Sequence, residues 1–347
     1  MQPREAWAPP HRAIGVWLLA CCALVFAMVM LGGVTRLTGS GLSMVDWDPV
    51  MGVVPPLNTE QWQRTFERYK QSPEYRHKNF GMSLSQFKRI FAFEYAHRIL
   101  GRLIGIAFLV PFLYFLVRKR FTREMVPKLA TMFVLGGLQG LLGWYMVKSG
   151  LVDRPHVSQY RLTAHLGAAL AIYAYMFWVA LDLWFPVTRA PVHRPPLRRA
   201  AAALTAFVFV TVLSGGFVAG LKAGFAYNTF PLMDGHWIPE AYLMLEPAWL
   251  NAFENIAAVQ FNHRLLAVLV LTAVIVFWVA GRRHQTRLPG RVNIAFHLLL
   301  LVAVVQVTLG ISTLLLHVPV SLASLHQGGA VVLFTIALFI THEVRAA

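Results

Sequence analysis

The chain has 347 residues, 57% of them hydrophobic, and a formal net charge of +16, with a mean hydropathy of +0.56. So little polar material cannot cover a soluble protein of this length. Several apolar runs reach the roughly 20 residues that a bilayer-spanning helix needs, which excludes a string of soluble domains. The basic residues sit in short links between those runs, as in RKRFTREMVPK at 118–128 and RRHQTR at 282–287. That is the distribution of the positive-inside rule, and it argues against a nucleic-acid partner.

The apolar runs predict eight helices, at about 13–34, 90–117, 126–147, 160–181, 200–221, 257–280, 292–314 and 320–341. The first holds Cys21 and Cys22, which read as small apolar side chains, and it reads as a retained helix. Without a CxxC or loop cysteines, the sequence supports neither a disulfide framework nor a zinc site. The connection at about 35–89 is long and mixed in charge, and its WQRTFERYKQSPEY stretch predicts a short surface helix. The links after helices two, four and six hold Arg118, Lys119, Arg120, Arg123 and Lys128, then Arg189, Arg194, Arg198 and Arg199, then Arg282, Arg283, Arg287 and Arg291. Those after helices three, five and seven hold only Lys148, Arg154, Arg161 and Lys222, so both termini are expected to be cytoplasmic. PVTRAPVHRPP at 186–196 breaks the chain between helices four and five, and an acidic, aromatic outer connection runs over about 222–256.

The two halves resemble each other. GGVTRLTGSG (32–41) aligns with GGFVAGLKAG (215–224), and EYAHRIL (94–100) with QFNHRLL (260–266). QGLLG (139–143) aligns with QVTLG (306–310), and TAHLGAA (163–169) with SLHQGGA (324–330). With four helices per half, both halves insert in the same direction. The expected fold is an all-α integral membrane protein of two four-helix bundles, 1–185 and 186–347, related by a pseudo-two-fold axis along the membrane normal.

From 13 histidines the repeat selects four, His97, His165, His263 and His326, each within about the first two turns of an even-numbered helix. Helix rise then puts all four at one shallow level, very roughly 10 Å from the outer face. Two imidazoles on two helices of an apolar bundle suit the axial positions of a haem iron, whereas a lone intramembrane histidine more often bonds a neighbouring helix. Zinc would need further ligands. The histidines at 11, 77, 156, 193, 236, 284 and 342 read as solvated, in connections or tails. His297 falls at the cytoplasmic start of helix seven, and His317 has no counterpart in the repeat. Arg98 and Arg264 follow a ligand in each half and suit haem propionates or the interface. Glu94 precedes His97 by one helical turn where the other half has Gln260. An intramembrane carboxyl beside one site suggests proton handling or stabilisation of positive charge there, against a structural ion pair with Arg98, Lys88 or Arg89.

At these residues the chain resembles the haem A synthase family, whose pattern includes EYxHR in helix two, a TAHL-type histidine in helix four, NHR in helix six and LHQ in helix eight. GGVTRLTGSGLSM (32–44) and AGFAYNTFPLMDGHWIP (223–239) extend the resemblance over residues 14 to 340. The long first outer connection resembles the branch that includes the mitochondrial enzyme. Some bacterial relatives carry a cysteine pair in the outer loops, and this chain has none there. The resemblance implies oxidation of a ring methyl of haem O to a formyl group, giving haem A for cytochrome oxidase assembly. It implies a haem b cofactor held by His263 and His326, and a substrate site at His97 and His165 with Glu94 assisting. It further implies a bacterial inner membrane location and haem O supplied by a haem O synthase, with the electron partner unspecified. Two other readings compete: a dihaem b-type quinol or electron-transfer cytochrome, and a haem-free transporter built on a parallel repeat.

Overall fold

Apolar runs bounded by proline, glycine and arginine fold into helices in this computed structural model, which describes residues 9–45, 53–150, 157–185, 195–282 and 288–345. In chain order they are α1 (Pro9–Leu37), α2 (Thr59–Lys70), α3 (Pro73–His77), α4 (Leu84–Val117), α5 (Met125–Gly150) and α6 (Gln159–Trp184). There follow α7 (Pro195–Gly220), α8 (Asn251–Glu254), α9 (Ile256–Arg282), α10 (Gly290–Leu315) and α11 (Val320–Val344). Among the described residues eight helices are long and apolar enough to cross a membrane, and no strand forms beyond an isolated bridge between Met233 and His236. The chain is an all-helical, multi-pass membrane protein. The expected residues Arg154, Arg189, Arg194, Arg283, Arg287, His156, His193 and His284 lie outside the described residues.

The predicted helices are all present, and one differs in a way that matters. α4 begins at Leu84 rather than near 90, because Ser83 caps it. The Ser83 side chain accepts from the Gln86 backbone N–H while the Gln86 side chain accepts from that of Ser83, satisfying two orphan donors at once. His97 therefore lies beyond the third turn of α4, a correction to its expected place in the first two turns. The extra turns carry the WQRTFERYKQSPEY segment, which forms α2 and α3. Asn58 caps α2 and Ser72 caps α3. Phe66 and Tyr69 pack on Phe87 and Phe91 of α4, with Tyr69 stacked on Phe87 at 4.9 Å.

Inside this small aromatic core Glu74 is buried, accepting from the Tyr69 hydroxyl at 3.2 Å, while Asn79 Nδ2 donates to that same oxygen at 2.6 Å. Burial, with the nearby Glu94 carboxylate adding to it, pushes the Glu74 carboxyl up to about 7 from 4.5. An acid raised in the folded state opposes folding once it ionises. The α2–α3 cap should therefore be firmest below about pH 4.5 and loosen as pH climbs through 7. Glu74→Gln should flatten that dependence, read as amide exchange across residues 59–77 between pH 5 and 8; an unchanged slope would discount Glu74 as its source.

The chain divides into two compact units, one of residues 23–165 and one of residues 1–22 with 166–347. In the second, hydroxyls bridge helices: Tyr173 to Thr335 and Thr205 to Thr341, both at 2.8 Å. Gly281 lets Phe296 lie against the α9 backbone. At the C-terminal end of α11, His342 is buried rather than solvated, a correction to the expected tail position. Its Nε2 lies 3.0 Å from Asp182 and its Nδ1 3.2 Å from Glu343. Arg345 pairs with the same aspartate, and Arg291 with the same glutamate. Three helices, α6, α10 and α11, are thereby tied at one end by alternating charge.

Candidate functional site

In the second unit α9 and α11 bring His263 and His326 together. Their ring centres are 6.5 Å apart and the rings stand at 89° to each other. Two imidazole nitrogens each about 2 Å from one metal, plus about 1.1 Å from each nitrogen to its ring centre, span about 6.2 Å. The spacing of the pair is therefore that of two imidazoles sharing one iron. The His263 tautomer fits too. Ser214 Oγ donates to Thr211 O at 2.7 Å, which leaves it a lone pair for His263 Nδ1, also 2.7 Å away. His326 Nδ1 lies 3.2 Å from the Gln306 backbone carbonyl, which only accepts, and 3.1 Å from Gln306 Nε2, which only donates. With a hydrogen on His263 Nδ1 directed at Ser214 Oγ, that ring's Nε2 is left bare for a metal. Among the described residues no group of three or more His, Cys, Asp or Glu side chains is placed to hold a metal ion. A planar cofactor supplying its own four equatorial nitrogens needs no such group.

In the 23–165 unit the sequence pair His97 and His165 is also brought together, close enough for the two rings to interact electrostatically. Each of the four histidines rests on a glycine of a neighbouring helix. A Cβ at Gly143 would stand 2.9 Å from His165 Cε1, and one at Gly310 would stand 2.8 Å from His326 Cε1. At Gly32 and Gly215 the same atom would come within 3.2 Å of His97 and His263. The repeat pairs Gly32 with Gly215 and Gly143 with Gly310, so the seat recurs as well as the histidine. One turn before Gly143 and Gly310, Gln139 and Gln306 donate to the main-chain carbonyls of His165 and His326, at 2.7 and 2.8 Å. Sequence reasoning selected the histidines and the glutamines but missed the four glycines. Their signal was present: a glycine repeated inside two aligned membrane helices marks a close approach.

Glu94 and Gln260 stand at equivalent places and do opposite work. Glu94 Oε2 accepts from Ser43 N at 2.6 Å, Ser43 Oγ at 2.7 Å and Met44 N at 2.9 Å, and Oε1 accepts from Arg98 at 2.6 Å. Gln260 Nε2 donates to Ala223 O at 2.7 Å and Tyr227 O at 3.3 Å, while its Oε1 accepts from Arg264. The loop beyond α1 offers N–H groups, and the loop beyond α7 offers carbonyls. Acid and amide follow from that polarity. The two arginines repeat one another: Arg98 donates to Met44 O at 3.0 Å and Arg264 to Tyr227 O at 2.7 Å, equivalent positions in the repeat. Arg264 also donates to Thr229 O, and its Nε is buried with no hydrogen-bond partner among the described residues. That atom is a donor available to an acidic group at this site.

Residues 15–338 match the family model COX15-CtaA, described as cytochrome oxidase assembly protein. The chain is 57% identical over 337 residues to the "Heme A synthase" of Nitrosospira multiformis, covering 96% of this chain and 94% of that one. It is 50% identical over 344 residues to the "Heme A synthase" of Paramagnetospirillum magneticum, covering 96% and 94%. To the "Heme A synthase COX15" of Mus musculus it is 47% identical over 343 residues, covering 96% and 83%. Identity of this extent over nearly the full chain carries one conclusion: the chain belongs to the COX15-CtaA family of cytochrome oxidase assembly proteins.

Proposed function

We propose that this chain is a haem A synthase, an oxidoreductase that converts haem O to haem A by oxidising a ring methyl to a formyl group. Relatives of that name at up to 57% identity support the activity. The single observation that carries the assignment of the site is the His263–His326 pair, 6.5 Å between ring centres with each Nδ1 committed to a hydrogen bond. His263 and His326 would hold a resident haem b, and His97 and His165 would take the substrate haem. The halves 1–185 and 186–347 form a parallel repeat about an axis along the membrane normal, supported by the matched glycine seats. The protein lies in the bacterial inner membrane with both termini cytoplasmic, as its basic links indicate. Haem O reaches it from the haem O synthase step.

The iron porphyrin supplies the redox chemistry, and the protein orients it and sets the local charge. Glu94 is held in place by four hydrogen bonds, including one from Arg98. There it steadies positive charge developing at the substrate methyl and fixes the 40–44 loop. Arg98 and Arg264 fasten the outer loops, and Arg264 Nε adds a hydrogen bond to a propionate. The test is pigment extraction from the purified protein after turnover with haem O. Haem b together with haem O or haem A is expected; two identical haems b would favour the dihaem cytochrome, and a colourless protein the transporter.

A further inference from the structure

The two histidine pairs differ in what holds their rings. At the His263–His326 pair each Nδ1 has partners, Ser214 Oγ at 2.7 Å for His263, and the Gln306 carbonyl at 3.2 Å with Gln306 Nε2 at 3.1 Å for His326. At the other pair His165 Nδ1 is buried with no hydrogen-bond partner among the described residues. No hydrogen bond from a described residue reaches the His97 ring, because the repeat puts Leu31 where the other half has Ser214. The rings are turned differently as well. His165, His263 and His326 present Cε1 to their glycines, whereas His97 presents Nε2, 3.2 Å from where a Gly32 Cβ would stand. An imidazole without a partner on Nδ1 turns easily, since its terminal torsion has broad wells. One that donates from Nδ1 is held in plane and is the more electron-rich ligand.

We propose that Ser214 and the Gln306 carbonyl make the His263–His326 pair a permanent clamp, and that the lack of such partners makes His97 a swinging ligand that lets haem enter and leave the other pair. The proposal rests on the reading of both pairs as haem ligands. It gives the division between resident and exchanging haem a physical cause, ring partners present at one pair and missing at the other, with Ser214 in α7 where α1 has Leu31. Ser214 is thereby a positioning residue, acting through His263.

The test follows haem, without any need for turnover. Purified protein is challenged with excess apomyoglobin as haem acceptor, and the release of each haem and its midpoint potential are recorded. Ser214→Ala should speed loss of the haem at His263 by about tenfold, the lower end of what losing an outer-shell partner costs. It should also raise that haem's midpoint potential, since the imidazole becomes a poorer donor. Ser214→Thr, which keeps the hydroxyl, should behave as wild type. Leu31→Ser, made in the other unit, should slow release from the His97 pair. Unchanged release and potential in Ser214→Ala, or unchanged release in Leu31→Ser, would overturn the proposal. His263→Ala separates the two levels of inference. If it keeps both haems, the ligand assignment itself is wrong; if it loses one while Ser214→Ala is silent, only the clamp is wrong.

Discussion

Alanine at His263 or His326 is expected to strip the resident haem from the purified protein and to abolish haem A formation. Alanine at His97 or His165 should leave that haem in place and still abolish the product. The expected effect is large. Losing an outer-shell partner of a metal ligand costs roughly 10–100-fold in affinity, and losing the ligand itself removes one of two bonds to the iron. The contact geometry sharpens the expectation, because the His263 and His326 ring centres stand only 6.5 Å apart. The measurement is absorbance per mole of protein, with pigment extraction, across the four variants. Loss of the same haem in all four would contradict two separate sites. Retention in all four would remove the histidines from the ligand set.

Glu94→Gln is expected to keep haem bound yet lower haem A output by about 100-fold or more, the scale seen when a preorganised charge is taken from a reacting centre. The carboxylate accepts three hydrogen bonds on one oxygen and the Arg98 guanidinium on the other. An amide has one accepting oxygen. Its NH2 must then meet either the Ser43 and Met44 N–H groups or Arg98, donor against donor. The substitution that looks mildest in sequence is therefore severe in place, even though the other half carries glutamine at the equivalent position. Gln260→Glu should be harmful for the mirrored reason, since a carboxylate there would face the Ala223 and Tyr227 carbonyls. Normal haem A output from Glu94→Gln, measured by pigment extraction after turnover, would rule out the proposed role.

Much of the fold was legible because membrane helices announce themselves by length and apolarity, and the repeat located all four histidines. The start of α4 was also written in the chain, as Ser83 and Gln86 in capping-box spacing, but a search for apolar runs passes over a polar turn. Other features could not be read at all. Whether the loop beside Glu94 turns N–H groups or carbonyls toward it depends on contacts spanning some fifty residues, between Ser43 and Glu94. His342 lies near the chain end, where side chains are usually wet, and is dry because Asp182 on α6 reaches it. The glycine seats become meaningful only once a ring is known to lie against them.

Those seats leave a handle for anyone wishing to retune the proposed haem iron without altering its bonds. At Gly32 and Gly215 the clearance is 3.2 Å, a few tenths of an ångström short of comfort, so a single methyl there would nudge an imidazole instead of evicting it. Genetic surveys would score such changes as ligand knockouts although every ligand remains. A spectroscopist would see intact coordination with a tilted ring.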